Sequence, residues 1–344
     1  MPVQAVQDGI AQQARAYQNT LTKPAGSLGK LEDMACWFAA RQGKVIPDTL
    51  KPHVAVFAAD HGVCEEGISA FPSVVTGEMV KNFASDGAAI NVLAKQAGAS
   101  LSIVDVGVLV NTSHIPDVIQ AKTQPGTTNS LHHPAMQKHD CLSALQAGKD
   151  EAKRAIQKGS NLLIAGDMGI GNTTSSAILI ALFTHTPASQ IVGLGTGIDE
   201  ETYRHKLQVV EQVINRVTQQ NMPPESYLEQ AGGFEIAAMA GFYLEAAMQG
   251  VPVIIDGFIS AAAALAAQAI EPDINQWMLA SHVSQEKGHK IALDKLSLQA
   301  LLDFKLRLGE GSGAALVLPL LQSSIALHRD MATFDSAEIS GKEP

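Results

Sequence analysis

Cysteine is scarce in this chain. Cys36, Cys64 and Cys141 are odd in number, far apart and form no C-x-x-C pair, which excludes a disulfide framework and a zinc knuckle. Basic clusters are missing too. The formal net charge is −10 and the pI is near 5.5, whereas a nucleic-acid partner calls for a clustered basic face. No block of like charges is present to tether the chain to a membrane surface. The first thirteen residues are polar, carry Asp8 and lack an apolar h-region, so no secretory signal is expected. No uninterrupted membrane-length run occurs either. Residues 251–270 approach the ~20 residues needed to span a bilayer, but Asp256-Gly257 interrupts them and their second half is mostly alanine. They read as a buried strand followed by a buried helix. These absences predict a soluble cytoplasmic protein without disulfides.

Several signatures are also lacking. There is no G-x-G-x-x-G, no G-x-x-x-x-G-K-[ST] and no G-x-S-x-G, so neither dinucleotide nor Walker binding nor an acyl-transfer triad is licensed. Internal repeats, low-complexity tracts and long linkers are absent. His132, His133 and His139 fall close together and His61 follows Asp60. They lack the i, i+4 spacing of a zincin and no cysteine joins them, so a metal site is disfavoured.

What is present is a core-forming composition, with 46% hydrophobic residues, 17% charged residues and 29 glycines over 344 residues. That length allows about two domains, or one large α/β domain with a subsidiary piece. Apolar runs of strand length recur at 53–59, 100–106, 161–165, 191–194, 251–255 and 277–283. They are near-continuous rather than alternating, as strands buried on both faces of a parallel sheet are. Helical patterns lie between them at 74–97, 141–158, 174–183, 200–219, 233–248 and 260–269. The alternation predicts an α/β fold: an open parallel sheet with helices on both faces. The segment before residue 46 and the tail after about residue 295 read as helical and outside the alternation, and residues 108–140 as an extended loop.

In such sheets ligands bind beyond the carboxyl ends of the strands. Most of the expected strands end there in Asp or Gly: Asp60-His61-Gly62, Asp105-Val-Gly107, Gly166-Asp167-Met168-Gly169, Gly195-Thr-Gly197 and Asp256-Gly257. Carboxylates at adjacent strand ends suit a ligand rich in hydroxyls, although Asp and Gly are also ordinary turn and cap residues. The third of these is the most informative. An apolar run stops at Gly166, glycines follow at Gly169 and Gly171, and Asn172, Thr173 and Thr174 open a helical stretch. Strand, glycine turn and helix start bring unpaired N–H groups and the positive end of a helix dipole together, which suits a phosphate or another anion. Lys206, on the polar face of the helix at 200–219, is within reach of that anion or is solvated surface. A second candidate is Arg307-Leu-Gly-Glu-Gly-Ser-Gly-Ala314. Its lone carboxylate, Glu310, stands between glycines before an apolar helix at 315–327. Glu310 reads either as a general base or as an acidic residue favoured by the helix dipole.

Taken together these segments resemble the nicotinate-nucleotide–dimethylbenzimidazole phosphoribosyltransferase family of cobalamin biosynthesis. The matching runs are Thr22-Lys-Pro-Ala-Gly-Ser-Leu-Gly-Lys-Leu-Glu32, Ala59-Asp-His-Gly-Val63, Ser69-Ala-Phe-Pro-Ser-Val-Val-Thr76, Gly87-Ala-Ala-Ile-Asn91, Gly169-Ile-Gly-Asn-Thr-Thr174, Val192-Gly-Leu-Gly-Thr-Gly197, Val253-Ile-Ile-Asp-Gly257 and Gly309-Glu-Gly-Ser-Gly313. Each is weak alone, but in order across residues 22–328 they are specific.

The resemblance implies transfer of 5-phosphoribose from nicotinate mononucleotide to 5,6-dimethylbenzimidazole. It implies Glu310 as the base and the phosphate near Gly169, Gly171, Asn172, Thr173 and Thr174, with Lys206 as charge partner. It places the benzimidazole near Ser69, Phe71 and Pro72, with Met168 and Leu308 as apolar walls, and Asp256 among the substrate contacts. It further implies a homodimer, no metal and no cofactor, a Rossmann-like large domain (46–295), and a small helical domain from both termini (1–45 with 296–344). One departure stands out: the family usually has Gly-Glu where this chain has Gly166-Asp167. A carboxylate one methylene shorter reaches less far, which puts the role of Asp167 and the acceptor preference in question. Glu78 and Lys81 are a milder departure, charged where neutral counterparts are expected.

Overall fold

A computed structural model describes residues 2–193, 197 and 199–340. Among these residues seven strands form one parallel sheet: β1 (Pro52–Ala59), β2 (Ser100–Gly107), β3 (Val118–Gln120), β4 (Leu162–Met168), β5 (Val253–Ile255), β6 (Met278–His282) and β7 (Ala300–Leu302). Their order across the sheet is β3-β2-β1-β4-β5-β6-β7, and every pairing is parallel. This is the doubly wound arrangement, and the order reverses between β1 and β4, where a crevice opens beyond the strand ends.

The helices in chain order are α1 (Asp8–Gln18), α2 (Lys30–Gln42), α3 (Val74–Ala84), α4 (Ala89–Gln96), α5 (Lys138–Gln157), α6 (Asn172–Thr184), α7 (Ala188–Ile191), α8 (Glu200–Gln219), α9 (Tyr227–Ala231), α10 (Phe234–Met248), α11 (Phe258–Ile270), α12 (His289–Lys295) and α13 (Ser312–Asp330). None is long and apolar enough to cross a membrane. Strand pleating divides them into two layers. Successive side chains of a strand point to opposite faces, so Ala55, Phe57 and Ala59 of β1 join one core with Leu163 and Ala165 of β4. Val54, Val56 and Ala58 join the other with Leu162 and Ile164. The first core is closed by α5, α6, α8, α10 and α11, and the second by α2, α3, α4 and α13. β1 is buried along its whole length because both of its faces are covered.

Four features differ from the sequence-based expectation. No strand occupies the described part of 191–194: Ile191 ends α7 and Val192 is its extended C-cap. Their apolarity serves the first core, and Pro187 opens α7 as its N-cap. The expected strand end at Gly195 and Thr196 lies outside the described residues. The helix expected at 74–97 is broken at 85–88, where Asp86 takes φ +57° and the Asn91 side chain accepts from the Ala88 N–H to start α4. The 108–140 loop contains the short edge strand β3. The tail contains β7, which pairs with β6 through Ala280–Ala300 and His282–Leu302. Three-residue strands of this kind are too short to show periodicity.

Candidate active site

The glycine turn lies where the fold places its crevice. β4 ends at Met168, Gly171 takes φ +95° as N-cap, and Asn172 begins α6. Thr174, Ser175 and Ser176 of the first turn are buried. Lys206, far from being solvated, is 2% exposed and donates from Nζ to Thr173 Oγ1 at 3.2 Å. Burial lowers its pKa, opposed by Glu286 and by Cys64. A buried ammonium therefore points at the N-terminus of a helix that already carries a partial positive charge.

Glu310 comes to the same place from a segment far along the chain. The three residues Gly309, Glu310 and Gly311 all have positive φ, at 85°, 65° and 85°, and they form the turn that launches α13. A non-glycine residue held left-handed costs about 1–2 kcal/mol, so the loop is over-determined by its surroundings. Gly166 supplies part of that determination. A Cβ added there would collide with the Glu310 carbonyl and lie 2.8 Å from the Gly311 nitrogen, so only glycine lets β4 pass beneath the loop. Glu310 is 6% exposed. Burial raises its carboxyl pKa, partly opposed by the Ile90 backbone N–H in the first turn of α4. Its Oε2 makes no hydrogen bond among the described residues.

Asp167 closes the gap between the two features. Its Oδ2 accepts from Asn172 Nδ2 at 3.0 Å and lies 3.1 Å from the position of a Cβ on Gly309. Burial, then Asp256, then Glu235 push its carboxyl well above the usual range, with Asn172 opposing and Glu310 adding to the rise. Asp167, Thr173, Gly257, His282, Arg307 and Leu308 line one cleft over the ends of β4, β5 and β6. Leu308 presents an exposed apolar side chain there.

Asp256 does not line this cleft. Its Oδ1 accepts from the Ala314 N–H at 2.7 Å, and the N–H groups of Gly311 and Gly313 also face it. Burial pushes its pKa up to about 7 despite those donors. Its visible work is to fasten the start of α13, and hence the Glu310 loop, to the end of β5. Ser69, Phe71 and Pro72 lie just before α3 and are absent from the lining of this cleft. Phe71 is exposed, and Met168 packs half-buried against the second core. His132 pairs with Glu66 at 3.4 Å and His139 with Asp140 at 3.1 Å. Two contributors escaped the sequence reading. They are the α4 N-terminus beside Glu310 and the buried His61–Glu235 pair beneath the glycine turn. The Gly87–Asn91 and Asp60–Gly62 runs were visible as motifs, but nothing in them tells what they touch.

Fold and site together define a doubly wound α/β enzyme with its ionisable groups gathered at the carboxyl edge of the sheet. Residues 3–339 match the model of a family described as phosphoribosyltransferase. The chain is 53% identical to the nicotinate-nucleotide–dimethylbenzimidazole phosphoribosyltransferase of Chromobacterium violaceum, over 96% of this chain and 95% of that one. It is 46% identical to the Pseudomonas putida protein of the same name, over 98% and 97%. The crystal structure of the Thermus thermophilus enzyme superposes with a TM-score of 0.91 at 42% identity, covering 97% of this chain and 99% of that one. The chain belongs to the nicotinate-nucleotide–dimethylbenzimidazole phosphoribosyltransferase family.

Proposed function

We propose that the protein transfers 5-phosphoribose from nicotinate mononucleotide to 5,6-dimethylbenzimidazole, releasing nicotinate and forming α-ribazole 5′-phosphate for the lower ligand of cobalamin. The observation that carries this reading is the free Oε2 of buried Glu310, held on a left-handed turn above Asp167 at the end of β4. Benzimidazole has one N–H and one lone-pair nitrogen. Glu310 accepts the N–H proton, and the opposite nitrogen, enriched in electron density, forms its bond to C1′. The C1′–N bond to the pyridinium breaks, and its electron pair returns to nitrogen to give neutral-ring nicotinate. Attack opposite the departing base inverts the anomeric carbon, so a β-nucleotide yields an α-riboside. Burial keeps the pKa of Glu310 raised, which suits a base working near neutral pH. No metal or cofactor enters this scheme.

In the same reading the phosphate sits at Gly169, Gly171, Asn172, Thr173 and Thr174 with Lys206 as its counter-ion. The benzimidazole lies against Leu308 and Met168, with Ser69, Phe71 and Pro72 closing the site, and Asp256 acts through the loop. We extend the proposal to a cytoplasmic homodimer with a large domain at 46–295 and a small helical domain from both termini. In support of the latter, α1 packs on α2 and α2 on α13, while α2 and α13 also close the second core of the sheet and β7 of the tail joins its edge, so this domain shares the core of the larger one. A second acceptor reading stays open on what the resemblance implies, a Glu where this chain has the shorter Asp167, so adenine, a phenol or another benzimidazole is an alternative acceptor. Purified protein mixed with nicotinate mononucleotide and a panel of benzimidazoles, purines and phenols tests both. Release of nicotinate, followed by chromatography, is expected with 5,6-dimethylbenzimidazole. No release with any acceptor overturns the proposal, and release only with another acceptor overturns the acceptor assignment.

A further inference from the structure

His61, directly after β1, takes no part in the chemistry above, yet its ring is fully buried between two helix starts. Its Nε2 lies 2.6 Å from Glu235 Oε1 in the first turn of α10, and its Nδ1 lies 3.0 Å from Ser175 Oγ in the first turn of α6. The glycine turn rests on this pair. A Cβ added at Gly169 would stand 3.1 Å from Glu235 Oε1 and 3.2 Å from His61 Nε2, and one at Gly171 would stand 3.2 Å from His61 Cβ. Between them, the Ile170 N–H donates to Thr76 Oγ1 at 3.1 Å and the Ile170 carbonyl accepts from Cys64 Sγ at 3.1 Å. The floor of the turn is thus gripped from α3, from α10 and from the end of β1. A buried carboxylate–imidazole pair is a weak source of stability, because desolvation offsets its attraction. What it supplies is direction, and N–H donors fixed in direction bind an anion without first being ordered.

We propose that His61 is a positioning residue. By joining Ser175 of α6 to Glu235 of α10, it holds the turn so that the backbone N–H groups left over, once those of Ile170, Asn172 and Thr174 are taken by Thr76 Oγ1 and by the Gly169 and Gly171 carbonyls, are arranged to bind a phosphate monoester. The inference rests on reading that turn as the phosphate cradle. His61 touches neither phosphate nor reacting atoms, so it acts on binding of the mononucleotide and not on the chemical step.

Steady-state kinetics of the full chain test it, with the KM for nicotinate mononucleotide, inhibition by inorganic phosphate, kcat and Tm measured together. Ser175→Ala removes one hydroxyl contact and is expected to raise that KM about fivefold, the size of one lost hydrogen bond. His61→Ala is expected to raise it at least about twentyfold and to weaken phosphate inhibition in parallel, with kcat at saturation within about threefold. His61→Asn, which keeps a polar atom near the Nδ1 position, is expected to recover part of the loss. A merely structural role would lower Tm and kcat and leave KM alone. If His61→Ala does not fold, Ser175→Ala decides. Lys206→Ala separates the inference from its premise. If Lys206→Ala raises the mononucleotide KM while Ser175→Ala and His61→Asn leave it unchanged, the positioning role is overturned. If Lys206→Ala leaves it unchanged, the cradle itself is misplaced and the inference falls with it.

Discussion

Replacing Glu310 with Gln removes the proposed base and little else. The amide is isosteric and its carbonyl can still accept from the Ile90 N–H that faces the carboxylate. The left-handed turn is held by Gly309, Gly311 and the close pass of Gly166 rather than by the side chain's charge. Mononucleotide binding at the far side of Asp167 should therefore survive, with Kd by calorimetry within about threefold of the parent. Turnover should not survive. A positioned general base contributes about 10²–10⁴-fold, or roughly 3–5 kcal/mol of barrier. Glu310 is buried, with one oxygen left unpartnered, so the whole of that factor is expected in kcat. The pH profile gives a second readout. The carboxyl works only when ionised and its pKa is raised, so the parent should lose activity toward acid at a pH above the ordinary glutamate value. The Gln variant should lack that limb. Nicotinate release at saturating substrates measures both. A Gln variant turning over within about threefold of the parent, with the acid limb intact, refutes Glu310 as the base.

Two further outcomes follow from the carboxyls around it. The Asp256 carboxyl sits near 7 in the folded chain against an ordinary 3.8. Its contribution to stability is thus complete below about pH 4 and lost as pH rises through 7, on the order of 4 kcal/mol. Asp256→Asn, whose Oδ1 can keep the Ala314 N–H, is expected to flatten the decline in urea-melt stability between about pH 4 and about pH 7; parallel declines in parent and variant would contradict this. Asp167→Glu adds one methylene, which in a filled core costs about 1–3 kcal/mol, but Asp167 borders the open cleft. The variant is expected to fold and retain turnover within about threefold. A folded variant that has lost most of its activity would show that the site has been retuned around the shorter side chain.

The doubly wound sheet was legible because burial on both faces leaves a continuous apolar mark. Pro52–Ala59 and Leu162–Met168 carry that mark plainly. The same mark misled at 191–194, where a buried helical turn is as apolar as a strand, and it was silent for the three-residue strands at Val118–Gln120 and Ala300–Leu302. The glycine turn was legible for a different reason. Strand, glycines and Asn-Thr-Thr form one local unit, closed by hydrogen bonds from the Asn172 and Thr174 N–H groups to the Gly169 and Gly171 carbonyls. Lys206 shows where local reading stops. Its helix face reads as polar, yet the fold buries it against Thr173.

The sequence by itself determined the family, the parallel sheet, the glycine turn from strand to helix and the identity of the carboxylate between glycines, because each is written in neighbouring residues or in an ordered set of motifs. Only the tertiary structure decided how the carboxylates share the work. Asp256, read from the sequence as a substrate contact, also holds the N–H groups that start α13. His61 looked like a turn residue and links two helices. Glu310 stands beside Asp167 because Gly166 lets two distant stretches of backbone touch. Contacts of that range leave no periodicity, since they depend on where the sheet's switch point brings distant segments together.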